Sequence, residues 1–296
     1  MSRTIQATLY SDPACPWAYS GVPALRVLEW RYGSQLQWRL VLIGLTEDAS
    51  QYVARGYTPL RGALGQLRFR RYGMPFGPQP KERVSATARA CRAVVAARLN
   101  RSGDEWRVFR ALQLANFTTP LLLDDDTQLA TVLRTVPSLD AEAIVSRLDD
   151  PEVTEAYERD RAEARTAAGS AAALQGKTAT TDGPVRFTAP SVSFERNGLR
   201  VVAGGFQPVE AYDVLVANLD PELEREPVPD TPRPLLERFP EGLTTQEVAA
   251  LMARGNDAPD REAAEEALLE LVGAAAATRT PLGDDALWQS APATPA

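Results

Sequence analysis

Eight residues near the start of the chain, Asp12-Pro13-Ala14-Cys15-Pro16-Trp17-Ala18-Tyr19, constrain its fold more than any other stretch. They follow a strand-like run, Ile5-Gln6-Ala7-Thr8-Leu9-Tyr10, and precede an apolar-periodic segment through Val22, Leu25, Val27 and Leu28. A cysteine therefore stands where a strand ends and a helix begins. Pro16 suits the first helical position, because its ring fixes φ and the N–H it lacks has no intrahelical partner there. Cys15 then takes the cap and faces the positive end of the helix dipole, where a thiolate is favoured. The expectation is an activated cysteine, against the ordinary fate of a free cysteine as a small packed hydrophobe.

What else the chain contains narrows the chemistry around that thiol. There is no histidine, which removes His-based triads, His-ligated metal sites and an imidazole base together. The two cysteines, Cys15 and Cys91, cannot make a four-cysteine zinc site. A net charge of −7 offers no general attraction to nucleic acid or anionic membrane. No run is apolar and long enough to span a bilayer, and no charged-then-apolar leader precedes the first strand. The expected location is cytoplasmic, where a stable disulfide between the two cysteines is disfavoured.

At 296 residues the chain has room for two or three domains. The first segment reads strand, helix, strand: a helix through Ala24–Trp30 stops near Gly33, and Leu36–Ile43 alternates before turning continuously apolar. A parallel βαβ unit follows from that order. From about 51 to 175 the periodicity is helical. Within it Arg61, Arg68, Arg70 and Arg71 lie near Phe69 and Tyr72. This stretch reads first as a solvated helix face beside a Pro/Gly loop, with an anionic-ligand or partner surface as the alternative. Cys91 falls on an Ala-rich helix and reads as a core thiol. Asp124-Asp125-Asp126 lacks the spaced ligands and glycine of a calcium loop, so helix capping is expected. A loop is expected over 169–188.

Strand character returns at Pro190–Glu195, and Asn197-Gly198 signals a tight hairpin into Leu199–Ala203. Gly204-Gly205-Phe206-Gln207-Pro208 then leads to a helix from Val209. A Pro-rich linker is expected over 222–238. Beyond it a capping-box start at Thr244, a helix over 261–272 and a hairpin over 277–289 give helix, helix, hairpin. That order loosely resembles a winged-helix module, placed at 239–290, with a disordered tail at 291–296. The helix equivalent to a DNA-reading helix carries Glu262, Glu265, Glu266 and Glu270. Docking or homodimerisation is expected of it, and no nucleic-acid binding.

Two stretches together carry a family resemblance. Asp12-Pro13-Ala14-Cys15-Pro16-Trp17 after a first strand, with Thr188-Ala189-Pro190-Ser191-Val192 before a hairpin, resembles the DsbA-like thioredoxin-fold family. The nearest flavour is its FrnE-type cytosolic branch. The resemblance implies an α/β fold: a thioredoxin-like domain from 1–50 and 177–221, interrupted by a large helical insertion at 51–176. It implies that Cys15 is the nucleophile of a thiol–disulfide oxidoreductase. Pro190 would be a cis-proline facing it, with the backbone of Ala189 free to pair with an extended substrate. Pro16 and Trp17 would support the site beside the sulfur. The family's second cysteine falls at Ala18, so the implied cycle is monothiol, through a mixed disulfide with a protein or small-thiol substrate. No tightly bound cofactor is expected, only a low-molecular-weight thiol. Cys91 resolves the mixed disulfide only if the insertion brings it to Cys15. Two alternatives stand beside this reading. One is a thiol-cofactor-dependent enzyme resembling kappa-class glutathione transferases and hydroxychromene carboxylate isomerases. The other is a non-catalytic binding scaffold.

Overall fold

Strand β1 (Ile5–Ser11) runs into a one-turn helix α1 (Pro16–Ser20), then α2 (Val22–Tyr32) and β2 (Leu36–Leu42). A computed structural model describes residues 4–292, and the expected tail falls outside these residues from 293 onward. The helix expected after the cysteine motif is thus broken in two. Gly21 closes α1, and Pro23 sits in the first turn of α2, where a missing N–H does no harm. β1 and β2 pair in parallel over seven residues, from Ile5 opposite Leu36 to Ser11 opposite Leu42.

Eight helices follow: α3 (Ala49–Ala54), α4 (Pro59–Phe69), α5 (Ala88–Asn100), α6 (Asp104–Thr118), α7 (Asp126–Leu133), α8 (Ala141–Ser146), α9 (Pro151–Ala164) and α10 (Ala171–Leu174). The Ala-rich α5 is buried along most of its length, with Cys91 fully inside. Small side chains there let neighbouring backbones approach closely, and α5 packs against α6 and α9. Arg98 of α5 holds Asp160 of α9 at 2.7 Å, while the same carboxylate accepts the backbone N–H of Leu42 at 3.0 Å. The insertion is thereby tied to the end of β2. Of the three adjacent aspartates, Asp125 caps α7 by accepting the N–H of Gln128, and Asp124 and Asp126 pair with Arg83 and Arg89. Among the described residues no group of acidic, Cys or His side chains is arranged to hold a metal.

The expected loop over 169–188 contains α10, capped by Ser170, and a two-residue ladder between β3 (Thr178–Ala179) and β4 (Arg186–Phe187). β5 (Ser191–Arg196) and β6 (Leu199–Ala203) then pair antiparallel. Asn197 and Gly198 both take positive φ, 52° and 79°, the backbone a two-residue hairpin needs. β5 also pairs antiparallel with β1, so the central sheet runs β2-β1-β5-β6. α11 (Val209–Leu219) packs on β6 and on α2.

The stretch expected to be a linker, 222–238, contains α12 (Arg233–Arg238), which buries Leu235 and Leu236. Pro234 is tolerated in its first turn. β7 (Leu243–Thr244), α13 (Thr245–Met252), α14 (Arg261–Gly273), β8 (Ala277–Leu282) and β9 (Asp285–Ser290) complete the chain, with the strands ordered β7-β9-β8. Trp288 is fully buried and donates its indole N–H to Thr245 Oγ1 at 3.0 Å. A buried ion pair fastens this part to the insertion. Arg110 of α6 reaches both oxygens of Glu247 on α13, at 2.7 and 2.9 Å, and also the carbonyl of Gly242.

Candidate active site around Cys15

Cys15 sits at the N-cap of α1 with extended backbone, and Pro16 occupies the first helical position. The loop that delivers it is fixed by Asp12. One carboxylate oxygen of Asp12 accepts the N–H of Ala14 at 2.8 Å, and the carbonyl of Asp12 accepts the N–H of Cys15 at 3.2 Å. The other carboxylate oxygen accepts the N–H of Leu45 and the hydroxyl of Thr87, both at 2.9 Å, and faces the Cys91 thiol at 3.6 Å. Asp12 is completely buried, and burial raises its carboxyl above the ordinary range against the pull of those hydrogen bonds. Cys91 therefore serves the underside of the loop. It is wholly buried, and its thiol is pushed up by that burial and by the nearby Asp12 charge.

The Ala189–Pro190 peptide bond is cis. The Cys15 thiol donates to the carbonyl of Ala189 across 3.2 Å. The sequence suggested that the backbone of Ala189 stays free for a substrate; here its carbonyl is taken by the thiol. The second correction concerns activation. Cys15 is only 6% exposed, packed in a cluster with Ala18, Phe187, Ala189 and Val202. Burial pushes its thiol up to about 12, with the Asp12 charge adding to the rise. The N–H groups of Ala18 and Trp17 at the helix start, and the Arg186 guanidinium, pull the other way and lose. The dipole argument is correct in sign, but desolvation outweighs it. Ala18, three residues after Cys15, is buried beside the sulfur.

Trp17 is 40% exposed and forms the apolar shoulder of the site. Its ring meets Phe69 edge-on at 4.9 Å, Tyr72 at 5.6 Å and Phe206 at 5.5 Å. The basic-aromatic stretch 61–72, read first as a solvated face, thus supplies two aromatic neighbours of the motif. A cleft of about 750 Å³ opens beside them, lined by Ala14, Pro16 and Trp17 and by α4. Phe206 and the buried Arg186 are further site residues that periodicity did not single out. Phe206 lies inside the Gly-Gly-Phe-Gln-Pro run, which was a usable signal, whereas Arg186 sits in a stretch expected to be a loop.

Residues 6–168, more than half of the chain, match the family described as DSBA-like thioredoxin domain. The chain belongs to the DsbA-like thioredoxin family. Its fold is the α/β thioredoxin-like fold with extra helices. Among solved structures it is similar to a putative protein disulfide isomerase from Nitrosomonas europaea (16% identity, TM-score 0.54, 73% of this chain and 95% of that one). It is also similar to a probable DsbA oxidoreductase from Streptomyces coelicolor (18% identity, TM-score 0.54, covering 76% and 93%). A third is the cytosolic disulfide reductase DsbM from Pseudomonas aeruginosa with GSH (19% identity, TM-score 0.50, covering 72% and 98%). No curated protein matches the chain. Among the described residues no helix is long and apolar enough to cross a membrane.

Proposed function

We propose that this DsbA-like protein is a thiol–disulfide oxidoreductase of the FrnE-type cytosolic branch, working through Cys15 alone. The carrying observation is the placement of the Cys15 thiol at a helix N-cap, 3.2 Å from the carbonyl of Ala189 and flanked by Trp17 and Pro190. In the forward step the Cys15 thiolate attacks one sulfur of a disulfide. The S–S bond breaks, a mixed disulfide forms, and the departing sulfur leaves as a thiolate that takes up a proton. A low-molecular-weight thiolate then attacks the substrate-side sulfur of the mixed disulfide. The bond to Cys15 breaks, Cys15 leaves as a thiolate that takes up a proton, and the small thiol ends in a disulfide with the substrate sulfur. Ala18 offers no sulfur for an internal attack, and Cys91 is committed to Asp12. The GSH named with DsbM is consistent with a small-thiol partner. No resident cofactor is needed.

In this reading 1–50 and 177–221 form the thioredoxin-like domain, 51–176 the helical insertion, and 239–290 a winged-helix-like module reached through 222–238. The module serves docking or self-association, since α14 exposes Glu262, Glu266 and Glu270, which repel nucleic-acid phosphates. The buried, protonated thiol favours a second reading, a binding scaffold that has lost the chemistry. Incubation of folded protein with a small disulfide, followed by intact mass and peptide mapping, separates the two. The oxidoreductase reading expects a mixed disulfide on Cys15, reversed by added thiol and absent in Cys15→Ser. Failure of Cys15 to form an adduct in folded protein, under conditions where denatured protein does, sinks it.

A further inference from the structure

The cleft beside Trp17 carries a charge opposite to that of the whole chain. The chain is acidic, at −7. Yet among the described residues the cleft is lined by Arg55, Arg61, Arg68, Lys81, Arg83 and Arg186 and by no aspartate or glutamate. Two of these cations are neutralised: Arg83 lies 2.8 Å from Asp124 and Arg186 lies 3.2 Å from Asp182. Arg55 and Arg61 donate instead to the carbonyls of Thr181 and Gly56. Among the described residues no carboxylate lies within ion-pair distance of Arg55, Arg61, Arg68 or Lys81, although the charge of Asp124, which pairs with Arg83, acts on Lys81 from further away.

Lys81 is the most informative of the four. Its ammonium is partly buried and is held by two neutral acceptors, Asn116 Oδ1 at 2.8 Å and the carbonyl of Leu121 at 2.7 Å. An ammonium has three protons to donate, so one remains. The Asp124 carboxylate, itself paired with Arg83, offsets only part of the cost of drawing this cation out of water, and an anion arriving in the cleft offsets more of it. Arg61 and Arg68 of α4 line the same cleft, so a ligand there meets a second set of cations besides Lys81. The volume, about 750 Å³, is that of a small-molecule site.

We propose that this cleft binds a small thiol or disulfide bearing at least two anionic groups, with Lys81 taking one and Arg61 and Arg68 of α4 another. The sulfur chemistry of the ligand rests on the oxidoreductase reading; its charge does not. Ala14, Pro16 and Trp17 form part of the wall, which brings a bound ligand against the cysteine motif.

Three disulfides of differing charge test it: dithiodipropionate (anionic), bis(hydroxyethyl) disulfide (neutral) and cystamine (cationic). Calorimetry on Cys15→Ser protein reads binding without chemistry. Dithiodipropionate is expected to bind more tightly than the neutral compound by about tenfold or more, cystamine most weakly of all. Lys81→Met, and separately Arg61→Ala with Arg68→Ala, should each weaken dithiodipropionate by roughly tenfold, the scale of one charge-assisted hydrogen bond. Circular dichroism confirms that the variants are folded, and the arginine pair provides the second arm if Lys81→Met is not. Equal binding of all three compounds, a preference for cystamine, or indifference to both sets of substitutions overturns the proposal. Adduct formation on wild-type Cys15 is scored separately. Charge-selective binding without any adduct leaves the cleft proposal standing and removes the oxidoreductase reading, and adducts without charge selectivity do the reverse.

Discussion

The thiol of Cys15 should be nearly inert toward alkylation at neutral pH in the folded protein. An ordinary cysteine titrates near 9.0, and burial pushes Cys15 up to about 12. Each tenfold change in thiolate population corresponds to one step of pKa, so the folded protein holds roughly a thousandfold less Cys15 thiolate than its unfolded chain at neutral pH. The physical origin is specific: Cys15 is only 6% exposed and the Asp12 charge adds to the rise, while its S–H donates to the Ala189 carbonyl. Mass-resolved iodoacetamide labelling from pH 6 to pH 11, in native buffer and in denaturant, measures this directly. Peptide mapping separates Cys15 from Cys91. The native rate at Cys15 should still be climbing at the alkaline end, while the denatured rate levels off near the ordinary thiol range. The same shift carries a stability sign. The folded state keeps its thiol proton where the unfolded chain has lost it, so stability contributed by this group is present below about 9 and is lost as pH rises toward 12. A native labelling curve with its midpoint below 9 refutes the reasoning, because it would mean that the helix N-terminus, and not burial, sets the thiol.

Two further outcomes follow from charges buried elsewhere. Glu247→Gln should destabilise the fold by about 3–5 kcal/mol, and lower the melting temperature by roughly 10 °C or more, because the amide keeps an acceptor for Arg110 but removes the buried negative charge that Arg110 and Arg26 face. Arg110 and the capping N–H of Thr244 hold the Glu247 carboxyl down at about 2 despite complete burial; its contribution is present above about 4.5 and disappears as pH falls toward 2. The wild type should therefore lose its advantage over the Gln variant in acid, as followed by denaturant unfolding at several pH values. Lys81 behaves oppositely. Burial lowers its ammonium to about 8, so the folded state gives up a proton that the unfolded chain keeps until about 10.5. Wild-type stability relative to Lys81→Met should rise between those two pH values, and a flat difference would show that Lys81 is solvated.

The parts of the fold legible in the sequence are those governed by neighbours along the chain. Pro16 at the first helical position, Asn197-Gly198 at the hairpin and Asp125 before α7 act within a few residues of themselves, and each does in the structure what local chemistry requires. The state of the thiol is of another kind. The helix dipole at Cys15 can be read from Pro16-Trp17-Ala18, but the side chains that bury it, Phe187, Ala189 and Val202, arrive from more than 170 residues away. A local reading counts the favourable contribution and omits the larger opposing one. The same holds for the stretch 61–72: periodicity puts it on a helix, but only the fold turns Phe69 and Tyr72 against Trp17 and Arg61 and Arg68 toward a cleft. Lys81 lay in a Pro/Gly loop and carried no pattern at all. In the 222–238 segment the prolines read as a linker, and one of them, Pro234, sits in the first turn of α12, a helix that no local pattern announced.

The contact between Cys15 and Ala189 joins recognition to reactivity. The carbonyl of Ala189 accepts the Cys15 S–H at 3.2 Å, so the proposed pairing of an extended substrate with this backbone competes with the thiol. A substrate donating an N–H to that carbonyl must displace the S–H, which removes the bond that holds the proton on sulfur. Without that bond, the N–H groups of Trp17 and Ala18, which favour the thiolate, act on the sulfur with less opposition. In the proposed cycle, engagement of the backbone beside Pro190 would ease loss of the thiol proton beyond what a small disulfide meets in the resting protein. The burial of Cys15 and the proposed oxidoreductase activity are compatible if substrate pairing at Ala189 offsets part of what burial withholds in the resting state. A peptide disulfide should then form its adduct faster than a small disulfide without backbone N–H groups.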